Sequence, residues 1–219
     1  GVRNLLDLIR NRQENCNRRP ILFHFSTDEV YGDIVEGEHT ETDILKPSNP
    51  YSASKAAADM FVLAWARTYD MKYIILRPTN NYGIGQYPEK LIPVSVKMLK
   101  REKKIRLHDR GEPIRNWLHS DDTASAVISI IESGTYNEIY NVAGGFEQKN
   151  KKTVEKIIQS YFGDDRDYND YIDLGHTREG QDVRYALNDD KLRGLGWSPI
   201  KSFDEVHRIV YHYKQGFRW

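Results

Sequence analysis

Two apolar runs, Ile21-Leu22-Phe23-His24-Phe25 and Tyr73-Ile74-Ile75-Leu76, frame an alanine-rich, helix-favouring stretch from about Ser52 to Tyr69. Short apolar runs bounded by breakers read as buried strands. Strand, helix and strand in that order make a parallel crossover, and a parallel sheet buries both its faces under helices. The alternation continues downstream. Helix is expected over Leu91–Lys100, a short strand over Ile105–His108, helix over Asp121–Glu132, strand over Ile139–Val142, then helices over 151–162 and Phe203–Gln215. The acidic stretch 164–170 reads as a solvated loop. Ahead of the first strand, Val2 to Arg12 reads as a helix whose Val2, Leu5, Leu6, Leu8 and Ile9 give a broad apolar face. The fold class is therefore α/β with a parallel sheet.

The 219 residues suffice for one large domain or two small ones, and 39% hydrophobic residues with 11% aromatics supply a core. Lys+Arg and Asp+Glu balance at 32 each, so no global field favours nucleic acid or an anionic membrane. No apolar stretch reaches the length of about 18 residues that a membrane-spanning helix needs. The single cysteine, Cys16, excludes an internal disulfide and fits a reducing compartment, so a cytoplasmic globular protein is the expectation. The seven histidines do not cluster with carboxylates at ligand spacing, and no metal is expected.

Chemistry concentrates in two segments, Ser26-Thr27-Asp28-Glu29-Val30-Tyr31-Gly32 and Tyr51-Ser52-Ala53-Ser54-Lys55. Tyr51 and Lys55 stand four apart, one turn along one helix face. A free tyrosine, with a pKa of about 10, is a poor base at neutral pH. A neighbouring ammonium favours the phenolate, so the pairing predicts a lowered Tyr51 pKa. Alone, such a pair arises often by chance, and Asp28-Glu29 alone reads as a turn or helix cap. Together they read otherwise. Thr27 lies 24 residues before Tyr51, at the carboxyl end of the first strand, where open α/β sheets place their ligands. Two adjacent carboxylates suit an elimination, which needs one acid and one base at neighbouring carbons.

These segments, with Asn80-Asn81-Tyr82-Gly83, the stretch Pro88 to Pro93, Arg115-Asn116-Trp117 and the run Arg178 to Asn188, resemble the extended short-chain dehydrogenase/reductase superfamily. Within it they are most similar to the nucleotide-sugar 4,6-dehydratases. The resemblance implies a tightly held NAD. Tyr51 would take the proton of the sugar 4-hydroxyl while hydride leaves C4, with Lys55 tuning Tyr51 and holding the cofactor ribose. Thr27 would hydrogen-bond the same oxygen. Glu29 would remove the C5 proton, Asp28 would protonate the departing 6-hydroxyl through a raised pKa, and hydride would return to C6. Asn81, Lys90, Leu91, His108, Arg115, Asn150 and Arg178 would surround the nucleotide and its pyrophosphate, with Arg115 and Arg178 in loops. Two departures bear on specificity. Gly180-Gln181-Asp182 stands where the family has Gly-His-Asp, and His108 stands where the dTDP-glucose enzymes often carry tyrosine.

The family's Gly-x-x-Gly-x-x-Gly cofactor turn does not occur in this sequence. The resemblance therefore implies the C-terminal part of a Rossmann-type sheet plus a smaller α/β substrate-binding domain. Residues 1–90 would form the partial Rossmann domain with the catalytic motifs. Residues 91–219 would be mainly substrate-binding, with 121–143 returning to the Rossmann sheet. Most of the NAD site would lie outside the chain, and the first strand would present an open apolar edge. The helices at 2–12 and 52–69 would form a homodimer interface. The competing readings are a UDP-sugar decarboxylase or epimerase, which Asp28 argues against, and a non-catalytic sugar-nucleotide-binding remnant. Neither nucleic acid nor membrane is expected as a partner.

Overall fold

The apolar run before Ser26 is strand β1, Leu22–Phe25, in a computed structural model that describes residues 1–16, 20–164, 166–180 and 182–216. Helix α1, Val2–Cys16, precedes it, and α2, Pro50–Tyr69, and β2, Tyr73–Pro78, complete the crossover. Then follow β3 (Asn80–Tyr82), α3 (Leu91–Lys100), β4 (Ile105–His108), β5 (Ile114–His119), α4 (Ser120–Ser133) and β6 (Glu138–Val142). The chain ends with β7 (Glu147–Lys149), α5 (Asn150–Phe162), β8 (Ile172–His176), α6 (Asp190–Arg193) and α7 (Val206–Gly216). The described residues of the acidic stretch include a short 3-10 turn, Tyr168–Asp170, instead of loop throughout.

Two compact units divide these elements. The first comprises Gly1–Thr79, Thr123–Ala143 and Tyr185–Ser198. Its sheet runs β1-β2-β6, all parallel, with Phe23 opposite Ile74 and Ile75 opposite Ile139. Ile74, Ile75 and Leu76 are fully buried, as the central strand of a covered parallel sheet requires. Leu6 and Ile9 of α1 pack with Val62 of α2, Met71 and Ile75. Among the described residues β1 pairs with β2.

Both helices keep apolar side chains on their outer faces: Leu5 and Leu8 on α1 and Met60 and Phe61 on α2 are each more than 40% exposed.

The second unit comprises Asn80–Asp122, Gly144–Arg184 and the chain from Pro199 onward. Here β5 pairs parallel with β3 and antiparallel with β7, while β4 pairs parallel with β8. Its core gathers Ile92, Val96 and Leu99 of α3, Val154, Ile157 and Ile158 of α5, and Ile209, Val210 and Tyr213 of α7. One backbone approach there admits only glycine. A Cβ on Gly144 would sit 1.8 Å from the Trp117 carbonyl oxygen.

Candidate active site

Beyond Phe25 the chain makes one more sheet hydrogen bond, from the Ser26 N–H to the Leu76 carbonyl, and then turns. Extended Thr27 caps a 3-10 turn, Asp28–Tyr31. Its hydroxyl accepts from the Glu29 N–H at 3.3 Å and donates to Asp28 Oδ1 at 3.0 Å. The cap reading and the chemical reading of these residues thus coexist, because capping orients both carboxylates. Gly32 closes the turn at φ +86°, and a Cβ there would fall 2.3 Å from the Lys46 carbonyl oxygen. Thr27 and Asp28 are buried, whereas Glu29 is half-buried.

Helix α2 starts two residues before Ser52, because Asn49 and Pro50 start it. Asn49 accepts from the Ser52 N–H at 2.9 Å, and Ser52 Oγ accepts from the Asn49 N–H at 3.2 Å, a reciprocal capping box with proline in the first turn. This puts Tyr51 in the first turn. Its hydroxyl is pushed up from the ordinary tyrosine value by burial first, then by the charges of Glu29 and Asp28, with the neighbouring Thr27 hydroxyl opposing. Lowering by the Lys55 ammonium, expected from the spacing, is not what the structure shows. The carboxylates of the turn act on the phenol instead. The Lys55 Nζ donates to the Phe25 carbonyl at 2.5 Å. Burial lowers its pKa, and Asp59, one turn further along α2, acts in the opposite direction.

Thr27, Asp28, Glu29 and Tyr51 therefore come together at the end of β1, with Lys55 one turn deeper. Two neighbours of Glu29 escaped the sequence reading. Asn49 Nδ2 and the Tyr185 hydroxyl both reach Glu29 Oε2 at 3.5 Å, the outer limit of a hydrogen bond. Asn49 had a signal, as an asparagine before proline at a helix start. Tyr185 had one too, in the run Arg178 to Asn188.

The seven residues expected around a nucleotide all lie in the second unit, on different elements. Asn81 sits on β3, its carbonyl accepting from Gln86 Nε2 at 2.8 Å. Lys90 caps α3 without a side-chain cap bond, exposed and 3.7 Å from Glu89, and Leu91 opens that helix. His108 ends β4 with its ring centre 6.3 Å from that of His176. Arg115 lies on β5, not in a loop, because Ile114–His119 pairs on both sides. Its buried guanidinium donates to the Asp182 carbonyl from both Nη atoms at 3.2 Å, and to the Ile114 carbonyl at 2.7 Å. Asn150 opens α5, and Arg178 is exposed in the segment after β8. Gln181 lies outside the described residues. No group of three or more histidine, cysteine or carboxylate side chains could hold a metal among the described residues. No described helix is long and apolar enough to cross a membrane.

The donor set at the end of β1 fits one end of a dinucleotide. A phenol and an ammonium on one helix face match a ribose hydroxyl and its neighbouring ring, whereas the sequence holds no glycine-rich turn for the pyrophosphate.

The GDP-mannose 4,6 dehydratase family model matches residues 1–210. dTDP-glucose 4,6-dehydratase 1 of Escherichia coli is 36% identical over 234 residues, covering 100% of this chain and 64% of that protein. The low-salt glycan biosynthesis protein Agl12 of Haloferax volcanii is 39% identical over 180 residues, covering 82% of this chain and 57% of that one. Among solved structures, the dTDP-glucose 4,6-dehydratase DesIV of Streptomyces venezuelae, with NAD and TYD bound, superposes with a TM-score of 0.88 at 36% identity. It covers 98% of this chain and 64% of DesIV. The chain thus spans less than two thirds of each of these relatives. It belongs to the GDP-mannose 4,6 dehydratase family of extended short-chain dehydrogenases/reductases.

Proposed function

We propose that this chain carries the acid–base and nucleotide-anchoring residues of an NAD-dependent nucleotide-sugar 4,6-dehydratase. The substrate would be a nucleoside-diphosphate hexose such as dTDP-glucose, and the product its 4-keto-6-deoxy sugar. The observation that carries this reading is the gathering of Thr27, two adjacent carboxylates and Tyr51 at the end of β1, close enough for both charges to act on the phenol.

When bound, the nicotinamide supplies a hydride acceptor and donor, and Tyr51 and Lys55 are the residues of this chain that would hold its ribose end. Tyr51 takes the proton of the sugar 4-hydroxyl, with the Thr27 hydroxyl aligning the same oxygen. Glu29, steadied by Asn49 and Tyr185, removes the C5 proton. Buried Asp28 delivers a proton to the departing 6-hydroxyl, which leaves as water. The unit bearing these residues is the chemical part of a Rossmann-type domain. The other unit anchors the nucleotide through Arg115 and Arg178, with Asn81, Lys90, Leu91, His108 and Asn150 around them. The apolar outer faces of α1 and α2 join two copies of the chain as a homodimer.

Calorimetric titration of dTDP-glucose into the 219-residue chain tests the reading. Saturable binding, weakened in Arg115→Ala and Arg178→Ala, supports it, and no binding of any nucleotide sugar overturns it. NAD titrated into the same sample reports how much of the cofactor site this chain holds. Wherever turnover is found, a product lighter by one water marks dehydration, whereas unchanged mass marks epimerisation and loss of carbon dioxide marks decarboxylation.

A further inference from the structure

Four polar side chains in the first unit, Tyr31, Asp59, Arg77 and Asn141, are at most 1% exposed and have no part in the chemistry above. They form a line. Arg77 Nε donates to Asp59 Oδ2 at 3.0 Å, and Arg77 Nη2 lies 3.0 Å from the same oxygen. Arg77 Nη1 donates to the Tyr31 hydroxyl at 2.7 Å, with the guanidinium carbon 4.7 Å from the centre of that ring. The hydroxyl donates onward to Asn141 Oδ1 at 2.8 Å. Asn141 is held in turn, its Nδ2 donating to the carbonyls of His39 at 3.0 Å and Asn188 at 3.1 Å. The second Asp59 oxygen lies 3.2 Å from His24 Nε2.

Their places in the fold give the line its meaning. Tyr31 is the last residue of the turn that begins with Asp28 and Glu29. Asp59 is on α2, one turn past Lys55 and two past Tyr51. Arg77 and Asn141 stand on the neighbouring strands β2 and β6, where they are opposite one another in register. A buried ion pair is a poor device for stability, since well-packed apolar residues of equal volume serve as well or better. What it supplies is direction, because the rigid fork of a guanidinium admits few arrangements of its partners. The Tyr31 phenol is pushed up to about 12, burial outweighing the Arg77 charge, so the hydroxyl keeps its proton and both hydrogen bonds through neutral pH.

We propose that Asp59, Arg77 and Tyr31 are positioning residues, a buried link that fixes the Asp28/Glu29 turn relative to the α2 face bearing Tyr51 and Lys55. The proposal rests on the dehydratase reading, in which acid, base and proton acceptor must address neighbouring sugar atoms together. Asp59 also supports the charged form of Lys55 against the burial that opposes it.

Two variants of the full 219-residue chain test the link without substrate or cofactor. Tyr31→Phe keeps the ring and removes the hydroxyl. Amide hydrogen exchange over Asp28–Gly32 is expected to accelerate by about tenfold, while Ile74–Leu76 in β2 exchange at the wild-type rate. Asp59→Asn keeps the shape and removes the charge. The titratable and charged side chains around Lys55 are Asp59 on its own helix, and Arg3 and His24, which line one pocket of about 400 Å³ with it. Without Asp59 only the basic groups remain. The pH midpoint for competitive acylation of Lys55, read by peptide mass spectrometry, is expected to fall by about half a unit or more. A brace with no bearing on the site leaves that midpoint alone. Wild-type exchange over Asp28–Gly32 in Tyr31→Phe, or an unmoved Lys55 midpoint in Asp59→Asn, overturns the proposal. Should Asp59→Asn not fold, the exchange result decides alone. Failure of the dTDP-glucose titration overturns the functional reading separately, since neither readout uses a nucleotide.

Discussion

Tyr51 has a pKa above the ordinary tyrosine value, and burial contributes most to that rise, ahead of Glu29 and Asp28. Below its pKa the phenolate fraction climbs tenfold per pH unit, so under the dehydratase proposal any turnover limited by proton removal at Tyr51 should rise with pH into the alkaline range. Glu29→Gln removes the larger of the two charges acting on Tyr51. That variant should turn over more slowly, with its alkaline limb displaced to lower pH, and a pH–rate profile of the two proteins checks this. Tyr31 makes a different prediction, about stability. Its proton is held to about 12 in the fold and to about 10 in the unfolded chain, so between those values the folded state binds more protons. This contribution is fully present below about pH 10 and is lost as pH rises through about 12, costing about 2 kcal/mol over that interval. Urea unfolding at about pH 9 and about pH 11.5 should show a smaller alkaline loss in Tyr31→Phe than in wild type. Much of the site was legible at this scale because Thr27, Asp28 and Glu29 are adjacent in sequence and Tyr51 and Lys55 share a helix face. The buried link was not. Arg77 meets partners 18 and 46 residues away, and those pairings exist only once the sheet has formed.

At the scale of elements, the long periodic segments were readable and the short polar ones were not. Helices α2, α3, α4 and α5 lie within two residues of their expected bounds at each end. Strands β3 and β7 have three residues each, Asn80-Asn81-Tyr82 and Glu147-Gln148-Lys149, and neither has an apolar alternation to mark it. They are strands because β5 offers them a hydrogen-bonding edge, a tertiary cause that no local pattern carries. The same reasoning accounts for Arg115, expected in a loop and found on β5. The start of α2 rests on Asn49, so Asn49→Ala should lose about 1 kcal/mol of stability by denaturant midpoint. Gly32→Ala should cost more, about 2 kcal/mol or above, since its Cβ meets a backbone carbonyl at a φ that alanine resists. Thermal melts of the two variants should rank in that order.

At the scale of the whole molecule, exposed Leu5 and Leu8 on α1 and Met60 and Phe61 on α2 give the first unit an uncovered apolar surface. Under the homodimer proposal, Phe61→Glu places a charge in the interface and should yield a monomer, which light scattering after size-exclusion chromatography distinguishes from the wild-type dimer. The first unit is also assembled from three separate stretches of chain. β2 has β1 beside it early, but its other neighbour, β6, is made only after all of Asn80–Asp122. The last stretch then docks through Lys191, whose Nζ donates to Glu138 Oε2 and the Ile139 carbonyl, both at 2.7 Å. The Asn188 carbonyl that secures Asn141 arrives with it. In order of synthesis, the turn at Asp28–Gly32 is made long before its final brace, which waits for Asn188. Non-local closure of this kind is slow, and a chain stalled before that point would display its reactive groups on an unfinished sheet, open to quality control and unable to hold them in register.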